Sequence, residues 1–512
     1  MPSTSVAMRA GNAGLVEGLC DPLRRRSVAL GLVLCYAAAW FAYAVIAKSS
    51  QDINADMAEM VVWAREPALG YPKHPPLPAW ILTVWFAVLP LADWAYYLLS
   101  AVTLAAGIYL AFELSGEWLA GEKRAAVPFL LAIIPFYNFL GLKWDQNSIL
   151  IPLWALAIWA FVRSLDTRQL GWAALAGVAA AAAMLTKYWS VFLVASLGLA
   201  ALFDRRRVVY FRSPAPWVTA GVLMVAVLPH AVWLVQEHFP PFTWVAARRT
   251  ATSLPDWLGS LVNYLGGTLG YAGPALLVVL ALARPSLAAI RDAWLPRDPD
   301  RRTVAVLFWT PILLPVAIAI PTHVNLLSLW NTPALNLLPV IVLASPLVVL
   351  TREALTRLAA GVIAFTLVAV LVSPIVAAVI LKHGVENHAA YARAVAAAAD
   401  REWRATSDRP LKLLAGPFTL ISTASFYLAD RPSTFTDFFP HFSPWVSDAR
   451  IAREGIVIMC PVNDDYCRGK LEEMVAARPR GRRTEVTVAR HWLGLEGPPA
   501  RFVIVTIPPA RP

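Results

Sequence analysis

The sequence predicts a mainly α protein: a polytopic transmembrane helical bundle of about eleven spans, interfacial helices in its first outer loop, and a small C-terminal α/β domain. Three observations lead there. Hydrophobic residues make up 58% of the 512-residue chain and charged residues only 15%, whereas soluble domains are about half apolar and about a quarter charged. Apolar runs of about 18–20 residues, long enough to cross a roughly 30 Å hydrocarbon core, recur between Ser27 and Leu381. From Lys382 onward the composition turns polar, and strand-like and helix-like stretches alternate.

Residues 1–26 read as an inner tail. They are not expected to be a cleaved signal, because the apolar stretch after "LCDPLRRR" is itself of spanning length. Spans follow at about 27–47, 95–113, 125–141, 147–163, 171–186, 190–203, 214–235, 262–283, 303–320, 332–350 and 358–381. With the N-terminus inside, the inner segments collect most of the basic residues before the tail, among them Arg24, Arg25, Arg26, Lys123, Arg124, Arg205, Arg206, Arg207, Arg301, Arg302, Arg352 and Arg357. The outer loops hold only Lys48, Arg65, Lys73, Lys143, Lys187, Arg248 and Arg249. That asymmetry sets the N-terminus inside, and an odd number of spans leaves the tail outside. The net charge of +11 is therefore mainly a topology signal, not a footprint for nucleic acid.

The outer loops are long where the inner ones are short: the first runs from about Lys48 to Asp93, and another from Gln236 to Val262. In "ADMAEMVVWAREPA" Met57, Met60, Val61 and Ala64 recur at helical spacing while Asp56, Glu59, Arg65 and Glu66 fall largely elsewhere, the pattern of a helix lying in the interface. Pro67 and Gly70-Tyr71 end it. "HPPLPAW" breaks any helix again, since each proline removes an amide donor. "WILTVWFAVLP" then gives a second apolar segment too short to span comfortably. Two short helices joined by a stiff turn are expected to roof the bundle.

In the tail, "LKLLAGPF", "STFTDFF", "GIVIMCP", "EVTVARHW" and "RFVIVTIPP" read as strands, and "STASFYLADRP", "SDARIAREG" and "KLEEMVAARP" as helices. The expected divisions are therefore 1–26, a membrane domain at 27–381 with its first loop at 48–93, and an α/β domain at 382–512. Cys20 and Cys35 fall on the inner side and in the first span, where pairing is not expected. Cys460 and Cys467, in "CPVNDDYC", fall in the outer tail. A zinc site lacks further nearby ligands, leaving a disulfide or two free thiols, and the oxidising side favours the disulfide.

Asp56-x-Ala58, Trp63, Gly70-Tyr71, His74-Pro75-Pro76-Leu77 and Ala79-Trp80 together resemble the first periplasmic loop of bacterial C-type (GT-C) glycosyltransferases that use lipid-linked sugars, the protein mannosyltransferase-like and aminoarabinose-transferase-like families. The resemblance extends through "FYNFLGLKWDQNSILIPLWALAIWAFVR" with Asp145, "AAAAAMLTKYWSVFLV" with Lys187, "SLWNTPALNLLPVIVLA", and "SFYLADRPSTF" in the tail. It implies an inner-membrane enzyme with a periplasmic C-terminal domain. Such an enzyme takes a sugar from a polyprenyl-phosphate carrier and places it on a hydroxyl of an envelope glycolipid, lipopolysaccharide or protein.

That chemistry asks for a carboxylate to accept the acceptor's proton and fixed cations for the charge arriving on the departing phosphate. Asp56 is the candidate base. Lys187, with Arg248 or Arg249, is the candidate phosphate clamp, and Asp145, His74 and Tyr71 are candidate substrate contacts. No cofactor is certain. A divalent metal shared by Asp56 and Asp145 is the one the resemblance leaves open. Each residue also has a plainer reading: Asp56 as a partner of its helix dipole, Asp145 as a cap, Lys187 as a snorkelling side chain, the two arginines as interfacial anchors, His74 as part of the turn. A lipid or glycan transporter or flippase is the competing class. The absence of an evident internal repeat and the gathering of acids in the outer loops weigh against it.

Overall fold

A computed structural model describes residues 14–249, 251, 253–383, 391–478 and 480–510. Seven helices among them are long and apolar enough to cross a bilayer: Arg25–Ala47, Asp93–Ser115, Gln146–Thr167, Ala215–Gln236, Leu254–Ala283, Pro299–Thr322 and Arg352–His383. Four shorter apolar helical segments, Leu77–Val88, Leu170–Thr186, Tyr188–Phe203 and Ser328–Leu343, accompany them. The chain divides into two compact units. One comprises Met1–Phe41, Leu69–Leu77 and Tyr97–Val370, the other Ala42–Ala68, Pro78–Tyr96 and Leu371–Pro512.

In the first unit, helix Leu170–Thr186 packs between Gln146–Thr167 and Ala215–Gln236. Gly177 allows the second approach: a Cβ there would lie 2.6 Å from the Thr219 carbonyl oxygen. The Thr219 hydroxyl crosses the same seam to the Ala173 carbonyl at 2.9 Å.

Two predicted spans are not continuous α-helices. In 125–141 the helix Gly121–Ala132 stops, and the chain continues through single 3-10 turns at Pro135–Tyr137 and Leu140–Leu142. In 332–350 a 3-10 stretch, Ser328–Leu337, leads into the short helix Leu338–Leu343. Proline supplies the physical reason in both, through Pro135 in one and Pro333 and Pro339 in the other. Irregular backbone at membrane depth needs protein partners for its polar groups, and side chains supply them. The Tyr36 hydroxyl donates to the carbonyls of Ala132, at 3.1 Å, and Tyr137, at 2.8 Å. The Asn336 side chain meets the Tyr137 hydroxyl and donates to the Ile151 carbonyl at 2.8 Å. Tyr264 donates to Asn331 Oδ1 at 2.9 Å.

The second unit carries a five-stranded mixed sheet. Its strands are β1 (Leu413–Gly416), β2 (Ser433–Thr436), β3 (Ile456–Pro461), β4 (Arg482–Val488) and β7 (Ala500–Ile507), in the order β2-β1-β3-β7-β4. A two-stranded ribbon, β5 (His491–Trp492) with β6 (Leu495–Glu496), lies outside it. β1 runs parallel to β2 and β3, while β7 is antiparallel to β3 and β4. Helices Ala392–Arg404 and Phe418–Tyr427 bury an apolar core of Val395, Ala399, Trp403, Ile421 and Ala424 against one face. On the other, Ile456, Ile458, Val503 and Val505 surround Cys460 and Cys467, which are joined as a disulfide with Cα atoms 5.7 Å apart.

The first-loop helix Ala55–Arg65 belongs to this second unit. Asn54 caps it by accepting from the Asp56 N–H at 2.9 Å. An interfacial helix of its pattern would keep a polar face open. Here even Glu59 is buried, along with Met57, Met60, Val61, Val62 and Trp63, and helix Phe418–Tyr427 packs against the same helix. Tyr96 donates to the Met57 carbonyl at 2.8 Å and Arg65 to the Ser425 hydroxyl at 3.0 Å.

Candidate active site

In the first unit the chemistry gathers where helix Leu170–Thr186 stops. Lys187 has extended backbone, φ −159° and ψ 134°, and a single 3-10 turn, Tyr188–Ser190, leads into helix Val191–Phe203. The break turns the Lys187 side chain out of the helical run. Its ammonium donates to Asn147 Oδ1 at 2.6 Å and lies 4.9 Å from the centroid of the Trp330 ring. Trp189 packs against the same ring, with centroids 4.9 Å apart. Neither the amide nor the indole carries a formal charge, and a cation over an indole face is held by the ring quadrupole.

Asp145 stands one step away. It is the N-cap of helix Gln146–Thr167, accepting from the N–H groups of Asn147 at 2.8 Å and Ser148 at 3.2 Å. The Asp145 N–H donates in turn to the Ser148 hydroxyl oxygen at 2.9 Å, closing a capping box. The remaining carboxylate oxygen takes the Asn147 side-chain amide at 3.2 Å and lies 3.7 Å from the Lys143 ammonium. The capping role is thus met, and the same carboxylate orients the amide that holds Lys187. The structure joins Asp145 and Lys187 through Asn147, a residue the sequence reading passed over although it lies in the quoted "KWDQNS".

Tyr71 and His74 form a tight turn in the same unit, with the Tyr71 N–H donating to the His74 carbonyl at 3.0 Å. The Tyr71 side chain is buried and His74 is half-buried. Arg248 and Arg249 close helix Pro240–Arg249, and their side chains lie outside the described residues.

Asp56, in the second unit, occupies the first turn of helix Ala55–Arg65 and is half-buried. Close by in sequence is a polar cluster that sequence reading missed. Asp52, 5% exposed, accepts from the Arg393 N–H at 3.3 Å, so a carboxylate from the first loop caps helix Ala392–Arg404. The Arg393 guanidinium pairs with Asp93 and reaches the Tyr427 hydroxyl at 3.1 Å. That hydroxyl also accepts the Ile53 N–H at 2.7 Å. Burial pushes the Asp52 carboxyl up to about 6, with the Arg393 N–H and guanidinium pulling the other way. Only the acids Asp52 and Asp93 could have been suspected from sequence. Among the described residues, no group of three or more His, Cys, Asp or Glu gathers in a metal-holding arrangement.

The helical bundle, the elaborated first loop, the lysine at a helix break and the small C-terminal sheet together make a fold that can be set beside known ones. Residues 73–233 match the family described as dolichyl-phosphate-mannose-protein mannosyltransferase. The chain has the same fold as the crystal structure of ArnT from Cupriavidus metallidurans bound to undecaprenyl phosphate. They share 16% sequence identity, the match covers 94% of this chain and 98% of that one, and the TM-score is 0.58. The oligosaccharyltransferase of Archaeoglobus fulgidus, in complex with zinc and sulfate, matches with 12% identity over 83% of this chain and 68% of that one, at a TM-score of 0.39. No curated protein sequence matches.

Proposed function

We propose that the protein transfers a sugar from a polyprenyl-phosphate donor to a hydroxyl of an envelope glycolipid, lipopolysaccharide or protein at the periplasmic face of a bacterial inner membrane. The observation that carries this reading is the Lys187 ammonium, held by an amide oxygen and an indole face at a helix break within a GT-C fold. A lysine adjoining apolar helices costs about 2.5–3.5 kcal/mol on insertion scales if it is fully buried, and an anionic lipid phosphate is a partner that offsets such a cost. The undecaprenyl phosphate in the ArnT structure is a ligand of that chemistry.

In the proposed reaction the acceptor hydroxyl oxygen attacks the anomeric carbon, and its proton passes to the Asp56 carboxylate. The bond from the anomeric carbon to the phosphate oxygen breaks, and its electron pair leaves with the lipid phosphate. Lys187, with Arg248 and Arg249, stabilises the charge that develops there. Asp145 holds Asn147 and through it Lys187, while His74 contacts substrate from the first-loop turn that the buried Tyr71 helps to form.

Mass spectrometry of envelope glycolipids and glycoproteins from cells with and without the gene tests the reading. One sugar mass should disappear from one acceptor class, and a polyprenyl-phosphate sugar should accumulate. An unchanged glycan inventory with altered lipid distribution between leaflets would instead indicate a flippase.

A further inference from the structure

Three segments of the first unit meet at His230. This histidine lies in helix Ala215–Gln236 and is 3% exposed. Its Nδ1 is 2.6 Å from the Leu69 carbonyl oxygen, and its Nε2 is 3.0 Å from the Tyr188 hydroxyl. A carbonyl oxygen can only accept, so Nδ1 carries the proton. In the neutral ring Nε2 then has a lone pair for the Tyr188 O–H. The chain of bonds runs from Tyr188 through the imidazole to the backbone of Leu69. The Tyr188 and His230 rings are stacked at 5.7 Å, and Trp233, one helical turn on, stacks on His230 at 5.6 Å.

Trp233 also presses on the next residue of the same turn. A Cβ added to Gly70 would lie 2.3 Å from two Trp233 ring carbons, so only glycine allows this approach. Leu69 and Gly70 lead directly into Tyr71, whose N–H closes the turn on His74. Tyr188 directly follows Lys187. The two ends of the His230 relay therefore attach to the segments that carry the two groups of candidate substrate contacts, and neither end is itself one of them.

We infer that His230 and Tyr188 are positioning residues, latching the 69–77 turn to the Lys187 break so that both present a fixed arrangement to the donor phosphate. This rests on the reading of Lys187 as a phosphate-facing cation. Tethering of this kind acts by removing freedom before the ligand arrives. The sequence gives a reason to separate it from ordinary packing. A histidine amid the apolar run "VLMVAVLPHAVWLV" is an expensive way to fill space, whereas a leucine would pack there and bind nothing.

The test uses full-length protein in detergent or nanodiscs, with Tyr188→Phe, His230→Phe, the double variant and Gly70→Ala. Hydrogen exchange over 69–77, measured without any ligand, should rise in every variant. Affinity for undecaprenyl phosphate, used as the probe, should fall on the order of tenfold in each single variant, the scale of one buried hydrogen bond. The double variant should be no worse than His230→Phe alone, because both changes cut the same relay. Tyr188→Phe keeps its ring and guards against simple misfolding. Unchanged exchange over 69–77 would overturn the latch itself. Raised exchange with unaltered affinity would overturn the positioning role and leave only a structural bond. Failure of the wild type to bind the probe would overturn both the phosphate reading and the positioning role, while the exchange data still decide whether the latch exists.

Discussion

Asn147 and Lys187, forty residues apart, are joined by a 2.6 Å hydrogen bond from ammonium to amide oxygen, and the amide is itself fixed by Asp145 at 3.2 Å. An amide oxygen at this position adds no formal charge beside the ammonium, whereas a carboxylate would. Asn147→Asp should therefore weaken binding of polyprenyl phosphate by at least tenfold, more than Asn147→Ser, although it strengthens the local pair. Equal donor affinity in the two variants would remove Lys187 from the phosphate site.

Lys187→Ala should cut donor affinity by roughly 30- to 5,000-fold, the range for truncating one member of a buried charge pair, about 2–5 kcal/mol. Lys187→Arg should recover part of it, since charge is kept while geometry changes. A lysine that merely snorkels would show a small stability loss and the same affinity in all three proteins.

Asp56→Asn should leave folding and donor binding near normal and lower turnover by about 10²–10⁴, as expected for a general base. Single-turnover transfer with preloaded donor separates that effect from binding. Near-normal turnover by a well-folded variant would return Asp56 to the role of a helix-dipole partner.

Asp52 gives a pH prediction with a defined sign. Its folded value of about 6 lies above the ordinary 3.8, so the folded state holds the proton more tightly. Its contribution to stability is present below about pH 4 and is lost as pH rises through about 6. Asp52→Asn mimics the protonated form. It should match wild type at pH 4 and exceed it by up to about 3 kcal/mol at pH 8, taking about 1.4 kcal/mol per unit. Thermal unfolding at the two pH values measures this, and a Tm difference that does not grow with pH would show Arg393 outweighing burial.

The Cys460–Cys467 disulfide should leave two alkylatable thiols, Cys20 and Cys35, in unreduced denatured protein and four after reduction. Its eight-residue loop contributes about 2.5 kcal/mol on the chain-entropy estimate, so reduction should lower the unfolding temperature of the tail. Four adducts without reduction would refute the bond.

Local pattern carried much of this architecture. The run "AAAAAMLT" ends as a helix at Thr186, one residue before Lys187, and the five tail segments written as strands fall on the five strands of the sheet. Each of those signals lies within a few residues of what it specifies. The Asp52 cap on helix Ala392–Arg404 spans 341 residues, and nothing near Asp52 in sequence announces its partner. The Asn147 relay failed for a different reason: an asparagine after a capping aspartate reads as ordinary helix-start chemistry until Lys187 is placed beside it. The packing of helix Phe418–Tyr427 against helix Ala55–Arg65 was hidden too, since periodicity shows which face is apolar but not which distant element meets the helix.

The 3-10 stretch Ser328–Leu337 sets a depth as well as a path. Ten residues rising about 2.0 Å each, followed by six rising about 1.5 Å, reach about 29 Å, close to a full hydrocarbon thickness of roughly 30 Å. An α-helix of the same sixteen residues would reach only about 24 Å. Trp330 lies seven residues before the end of the stretched portion, so relaxation to α geometry would draw its ring along the axis by about 3.5 Å. That travel is comparable to the separation at which the ring meets the Lys187 ammonium. The choice of helix type thus acts as a ruler: by spending fewer residues per ångström, the chain sets the height at which an aromatic surface stands beside its cation.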